Sequence, residues 1–473
     1  MSKVNSSIFS VLLRSKYFFY ITFALFFLTS VCSFWPGYMS PDSLYQYQQS
    51  LSGNFTDWHP AIMSKIWSFT NLIIQGPSGM LILQNAFLYS ALLILSKNFN
   101  EMKEKYLLIS IGLLPWILNI SGVIWKDVQF AFSLLLLFSM LKLQRNRSWY
   151  FFFAVIVFYS IQLRHNGFIA FIPLFFMAIK YEAKNFKILT TVFISIVITL
   201  GAFTFSTKIT NEIFSVKKTE MIYYGDDLTY FSLLEGRSLI PTVPLEHIKA
   251  CALDSRGGFA GYAIDFCMRT ITNRGDLDPK YVNNSLQKIW IQEIIQHPIA
   301  YLKLRLYMFN AILRAPGVEP YYVSNEGIVP NEFNIKASEN FAVDARQALL
   351  RFVLTFFDFV YRYAFWLFIG LVQLIYLNTQ KRLPHKDLQI ALTSSGLLYL
   401  LPYFFLNATD YRYGFWTALS ITVSIAISFI VRSFFHLPLK RSSLKLLILS
   451  TLFISFVLFN YSKLFTYDIG YLL

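Results

Sequence analysis

The chain has 473 residues, of which 55% are hydrophobic, 18% aromatic and only 14% charged, where an ordinary soluble domain carries about 25% charged residues. That deficit excludes one large water-soluble globule, because most of the chain must sit in a medium that punishes charge. The formal net charge of +15 does not signal nucleic acid. The basic residues fall in short groups between apolar runs, the topogenic pattern of a membrane protein, and not on one basic module.

Apolar runs of about 17–25 residues cross a bilayer as helices, since a backbone in lipid must satisfy its polar groups internally. About eleven such runs follow one another, near 17–35, 80–96, 107–124, 128–143, 149–163, 167–180, 188–205, 352–377, 388–406, 414–431 and 445–462. No small-residue cleavage site follows the first, which is read as a retained helix. Lys and Arg gather on alternate connections. They stand at Lys3, Arg14 and Lys16; at Lys97, Lys103 and Lys105; at Lys142, Arg145 and Arg147; and at Lys180, Lys184 and Lys187. The series ends with Lys381, Arg382 and Lys386, then Arg432, Lys440, Arg441 and Lys445. The positive-inside rule makes these connections and the N-terminus cytoplasmic. The expected fold is therefore an all-α polytopic membrane protein with about eleven transmembrane helices.

The expected organisation has three parts. Residues 1–205 form an N-terminal transmembrane module with helices 1–7 and a first outer loop at 36–79. Residues 206–351 form a mostly helical outer domain, and 352–473 form a C-terminal transmembrane module with helices 8–11. The outer domain holds Cys251 and Cys267, the two cysteines outside the expected spans. An oxidising compartment would permit a disulfide between them, and two separate buried thiols are the alternative. From Leu286 to Leu313 apolar residues recur at helical spacing, which suits a helix at the membrane interface or one packed inside the domain. Asp226-Asp227 is an acidic pair that a solvated turn explains equally well.

The residues with chemistry to offer fall on the outer side. After the first run comes Trp35-Pro-Gly-Tyr-Met-Ser-Pro-Asp42-Ser43, and the same loop continues to Asp57-Trp58-His59-Pro60. Asp42 is either a reactive carboxylate or the cap of a helix starting near Ser43. Asp57 and His59 add a second carboxylate and a group that titrates near neutrality, and Trp58 adds an apolar platform. Trp125-Lys126-Asp127 sits in a turn between closely spaced runs, where the Lys and Asp could simply pair or snorkel. Arg164-His165-Asn166 puts a cation on the outer side against the orientation rule, so it needs a local reason. Asp410-Tyr411-Arg412-Tyr413 places another guanidinium at that boundary, where interfacial anchoring by Tyr411 and Tyr413 competes with function. Together they suit one job: an acid deprotonates an acceptor hydroxyl, and cations hold a lipid-borne phosphate as it leaves.

These motifs and this layout resemble the GT-C superfamily of polytopic glycosyltransferases, which use polyprenyl-phosphate sugars. The matching features are the many spans, Asp42 in the first outer loop, the outer domain, and the Trp125-Lys126-Asp127, Arg164-His165-Asn166 and Asp410-Tyr411-Arg412-Tyr413 elements. In size and layout the chain is most like bacterial O-antigen-modifying members. The resemblance implies inverting transfer from a polyprenyl-phosphate sugar to a hydroxyl of a glycan or lipid-linked acceptor. It places that reaction at the periplasmic face of a bacterial inner membrane, in lipopolysaccharide or other cell-surface polysaccharide modification. No cofactor is expected, and the sequence shows no convincing Asp-x-Asp metal motif and no Gly-rich phosphate loop, so no metal is assigned. The expected roles are Asp42 as general base, with Asp57, Trp58 and His59 orienting the acceptor or assisting. Lys126, Arg164, His165 and Arg412 bind donor phosphate, supported by Asp127, Asn166, Asp410, Tyr411 and Tyr413. The rivals are a polymerase or ligase of lipid-linked glycan, and a transporter or flippase. The second fits less well, because transporters usually carry polar residues at mid-membrane and inverted repeats.

Overall fold

A computed structural model describes residues 15–217, 225–240, 243–253, 284–314, 323–325, 327–406 and 410–435. Among them every regular element is helical. Helix α1 (Lys16–Cys32) leads into a segment that is no plain loop, since it folds into α2 (Pro41–Ser52) and α3 (Ala61–Asn71). Ser40 is the N-cap of α2, it forms a capping box with Ser43, and Pro41 takes the first helical position, where a missing N–H costs nothing. Asp42 therefore does not cap the helix. It sits in the first turn with its carboxylate left for other partners.

Helix α4 (Ser78–Ser96) follows, and then the expected span at 107–124 breaks. It divides into α5 (Met102–Ile109), a 3-10 turn at Ser110–Leu113 and the short α6 (Pro115–Leu118). Pro115 supplies no N–H and forces Leu114 into extended geometry (φ −62°, ψ 134°), so one continuous helix cannot form there. Next come α7 (Lys126–Met140), α8 (Arg147–Leu163), a 3-10 turn at His165–Phe171, α9 (Ile172–Glu182) and α10 (Ile188–Ile213), which runs past residue 205.

The described part of the segment after α10 contains α11 (Gly225–Glu235), α12 (Leu245–Leu253), α13 (Asn284–Gln296) and α14 (Pro298–Leu313). The single helix expected over Leu286–Leu313 is thus two, divided where Pro298 removes a backbone donor after His297. The expected span at 352–377 is also divided. Helix α15 (Phe341–Phe356) and helix α16 (Tyr363–Thr379) flank a 3-10 turn at Asp358–Tyr361, and Arg362 closes the turn with an ion pair to Asp358 at 2.6 Å. Helices α17 (Lys386–Leu400) and α18 (Phe415–Phe435) complete the described chain. The run expected at 445–462, the side chain of Cys251 and all of Cys267 lie outside the described residues.

Helix α7 is the axis of the bundle. All of its residues from Asp127 to Met140 are buried, and it packs against α4, α8 and α18, while α17 joins α18, α16 and α9. A helix that is apolar on every side belongs in the centre of a bundle. Among the described residues three stretches are long and apolar enough to cross a membrane: α4, α10, and Tyr411–Val431 through α18. Helix α10 is only 17% buried over its apolar window, against 83% for the run through α18. Its outer face shows Leu189, Phe193, Val197 and Phe205. So large an apolar face suits lipid and not water.

A second, smaller core forms among α11 to α14, where Leu228, Phe231, Ile240, Leu286, Leu304 and Met308 are buried together. Inside it Arg305 of α14 pairs with Asp227 of α11, and Trp290 donates its indole N–H to the same carboxylate at 2.9 Å. Arg305 also donates to the carbonyl of Phe405 at 3.1 Å, tying this core to the end of the α17 segment.

Candidate active site

The site assembles where four chain segments meet at the N-terminal end of α7, the last of them the turn at 410–413. The turn before α7 is stitched to the segment that follows α1. Tyr38 N–H donates to Gly122 O at 3.0 Å and Ile124 N–H to Tyr38 O at 2.9 Å. Ser43 Oγ donates to Ile124 O at 2.8 Å, and Trp125 Nε1 donates to Ser40 Oγ at 2.8 Å. These bonds fix the first turn of α2, with Asp42, against the first turn of α7, with Lys126 and Asp127. The third segment is the turn after α8. Gly167 lets it approach α7, since a Cβ there would stand 2.8 Å from the Phe130 ring.

A chain of charges results. Asp42 Oδ2 lies 2.6 Å from Arg412 Nη2, which also meets Asp410 Oδ2 at 3.0 Å. Asp127 is fully buried, with Oδ1 3.0 Å from Arg164 Nε and Oδ2 3.9 Å from Arg412 Nε. The positive end of the α7 dipole favours a carboxylate in that first turn. Arg164 donates from Nη2 to the Tyr403 hydroxyl at 2.5 Å. Tyr413 lies beneath both guanidiniums, 4.5 Å from that of Arg164 and 5.1 Å from that of Arg412. Arg412 also stacks over the Trp125 ring at 4.9 Å. Asp42, Lys126, Asp127, Arg164, Asp410, Arg412 and Tyr413 are therefore brought together. Tyr411 is not among them. Its ring stacks on Tyr363 at 5.2 Å, and it serves the packing behind the site.

Lys126 differs from the two arginines. Among the described residues it has no carboxylate at ion-pair distance, and its Nζ lies 3.5 Å from His59 Nδ1. Burial, followed by the charge of Arg164, lowers its pKa to about 8 against the pull of Asp127 and Asp42. Burial, followed by the charge of Lys126, lowers His59 to about 3, so its ring is neutral at neutral pH and accepts from the lysine. Burial alone would raise the Asp42 carboxyl. The Arg412 guanidinium outweighs it and holds Asp42 well below the ordinary carboxylate range.

Beside Lys126 opens a cavity of about 160 Å³. Asp57, Trp58 and Pro60 form one wall, and the turn at 162–166 forms the other, with Arg164, His165 and Asn166. The His165 ring packs against Phe203 of α10 at 6.0 Å, and burial, then Lys126, lowers its pKa. Sequence reasoning did not find Tyr403, which seats Arg164, or the Arg305–Asp227 pair. A guanidinium inside the apolar helical pattern of α14 was the available signal, because such a group needs a buried partner. Among the described residues one further cluster could hold a cation, Glu235, Glu293 and His297, but Arg237 already lies 3.6 Å from Glu235 and 3.7 Å from Glu293.

No protein-family model matches this chain, and no curated protein matches it.

Proposed function

We propose that the protein is a membrane-embedded, GT-C-type inverting glycosyltransferase that moves a sugar from a polyprenyl-phosphate donor to a hydroxyl of a glycan or lipid-linked acceptor. The reaction takes place on the outer, periplasmic face of a bacterial inner membrane crossed by about eleven helices, and it serves O-antigen or other surface-polysaccharide modification. One observation carries the reading. A partly buried lysine with no carboxylate at ion-pair distance among the described residues lines a small cavity, next to an arginine pair and an aspartate that Arg412 keeps ionised. Such a cation gains most from an arriving anion, because little water has to be displaced.

In the transfer step the acceptor hydroxyl oxygen attacks the anomeric carbon and gives its proton to Asp42. The bond from that carbon to the phosphate oxygen breaks, and the electron pair leaves on the phosphate, where Lys126 and Arg164 stabilise it. The products are a glycoside of inverted configuration and polyprenyl phosphate. Asp42 is a weak base while Arg412 holds it. A donor phosphate that draws on Arg412 loosens this hold and returns basicity to the carboxylate, since a neighbouring cation lowers a carboxyl pKa and its neutralisation reverses the effect. His59 keeps Lys126 in place as a neutral acceptor.

The testing experiment is mass spectrometry of surface glycans from cells with and without the chain, and from cells carrying Asp42→Asn. The reading expects one added sugar that disappears in the variant. A lengthened glycan chain would indicate a polymerase instead.

A further inference from the structure

We infer that the 160 Å³ cavity beside Lys126 is a subsite for a single uncharged monosaccharide ring, and that Trp58 and Asn166 select which sugar it takes. The inference rests on the transfer reading above and assigns the ring to the sugar of the donor. This gives Trp58 and Asp57 to the donor, although their place in the sequence suggested the acceptor.

Size comes first. Pockets for drug-sized ligands run to about 300–1,000 Å³. A cavity of about 160 Å³ has room for one ring, and a second sugar or a prenyl tail would extend beyond it. The lining has the two-sided character of a pyranose. Trp58, Pro60 and Leu163 offer apolar surface, and Asp57 and Asn166 offer polar edges. The Trp58 side chain is exposed enough to receive a ring on its face, at 38% of its surface. Gln162, by contrast, is occupied: its Nε2 donates to Phe158 O at 2.9 Å, and its Oε1 accepts from Thr210.

Asn166 supplies the asymmetry. Its Nδ2 is buried and has no hydrogen-bond partner among the described residues. An unsatisfied buried donor costs about 1–3 kcal/mol, and a sugar hydroxyl oxygen placed there removes that cost. A site built around such a bond rejects a sugar lacking the oxygen far more strongly than an apolar pocket rejects a missing methylene. The Asp57 carboxylate on the wall disfavours an acidic sugar. Lys126 at the inner end receives the phosphate bonded to the ring.

The test is calorimetric titration of the full chain, purified in detergent, with inorganic phosphate, neutral hexose 1-phosphates (glucose, galactose, mannose) and glucuronic acid 1-phosphate. We expect one neutral hexose 1-phosphate to bind at least about tenfold tighter than inorganic phosphate, and the glucuronic acid compound to gain nothing. Asn166→Ala and Trp58→Ala should each bring the hexose 1-phosphate back to the phosphate value, and Trp58→Phe should keep most of the gain. Equal binding of inorganic phosphate and every sugar phosphate, with affinity lost in Lys126→Met, overturns the sugar subsite and leaves the anion site standing. No binding of any of these probes overturns both.

Discussion

Asp127 Oδ1 lies 3.0 Å from Arg164 Nε, at the buried end of the central helix, and the second oxygen of the same carboxylate reaches toward Arg412 at 3.9 Å. One acid thus organises two cations that stand far apart in the sequence. Breaking a buried pair by removing one partner costs about 3–5 kcal/mol, because the remaining charge stays buried. We expect Asp127→Asn to lower stability by an amount of that order, read as a large drop in thermal midpoint in detergent. A loss near zero would mean that the two guanidiniums do not depend on this carboxylate.

The pH dependence follows from Lys126. Its pKa is lowered to about 8, so the cation that attracts phosphate is present below that pH and is lost as pH rises through it. The kcat/KM for donor, which reports the free enzyme, should therefore fall on the alkaline side with a midpoint near 8. Lys126→Arg, which keeps its charge, should move that limb upward. His59, lowered to about 3, should add no limb between pH 5 and 8, and a profile unaltered by Lys126→Arg would remove the lysine from this role.

The Asp227–Arg305 pair in the second core allows a different check. Arg305→Met should destabilise the protein strongly by leaving the buried Asp227 carboxylate without its guanidinium. Asp227→Leu combined with Arg305→Met should recover much of the loss, since a buried pair exchanged for apolar groups of similar volume is often neutral or stabilising. A double variant no better than the single one would mean that the Arg305 bond to the Phe405 carbonyl carries the effect.

The lipid-facing reading of α10 is testable with one charge. Val197 is exposed mid-helix on an apolar face. An arginine at the centre of a membrane-spanning helix costs about 2.5–3.5 kcal/mol in insertion, whereas a surface change in water stays within about 0.5 kcal/mol. Val197→Arg should sharply reduce the membrane-inserted fraction in a glycosylation-mapped insertion assay. Unchanged insertion would contradict lipid contact.

The legible part of this molecule was what local pattern controls. The apolar runs that became α1, α4, α8 and α10 were readable, as was the grouping of Asp42, Lys126, Arg164 and Arg412. Breaks were missed at Leu114-Pro115 and at 357–362, because hydropathy windows average across a single residue that lacks an N–H or turns extended. The wiring was missed for another reason. Asp127 and Arg164 stand 37 positions apart and Arg412 far beyond, and no spacing rule reveals that α7 carries one carboxylate between them. The cap of α2 lay in plain sight as Ser40-Pro41, and it released Asp42 from the structural role that its position had also suggested.

The most direct measurement places the purified protein in liposomes with a polyprenyl-phosphate sugar and a hydroxyl-bearing acceptor, and follows covalent transfer by mass spectrometry. We predict a glycoside of inverted configuration from the wild-type chain, a drop of at least about 10²-fold for Asp42→Asn, and a drop of about 10²–10³-fold for Lys126→Met. Undiminished product from Asp42→Asn, or movement of the lipid-linked sugar across the bilayer with no glycoside formed, would contradict the account.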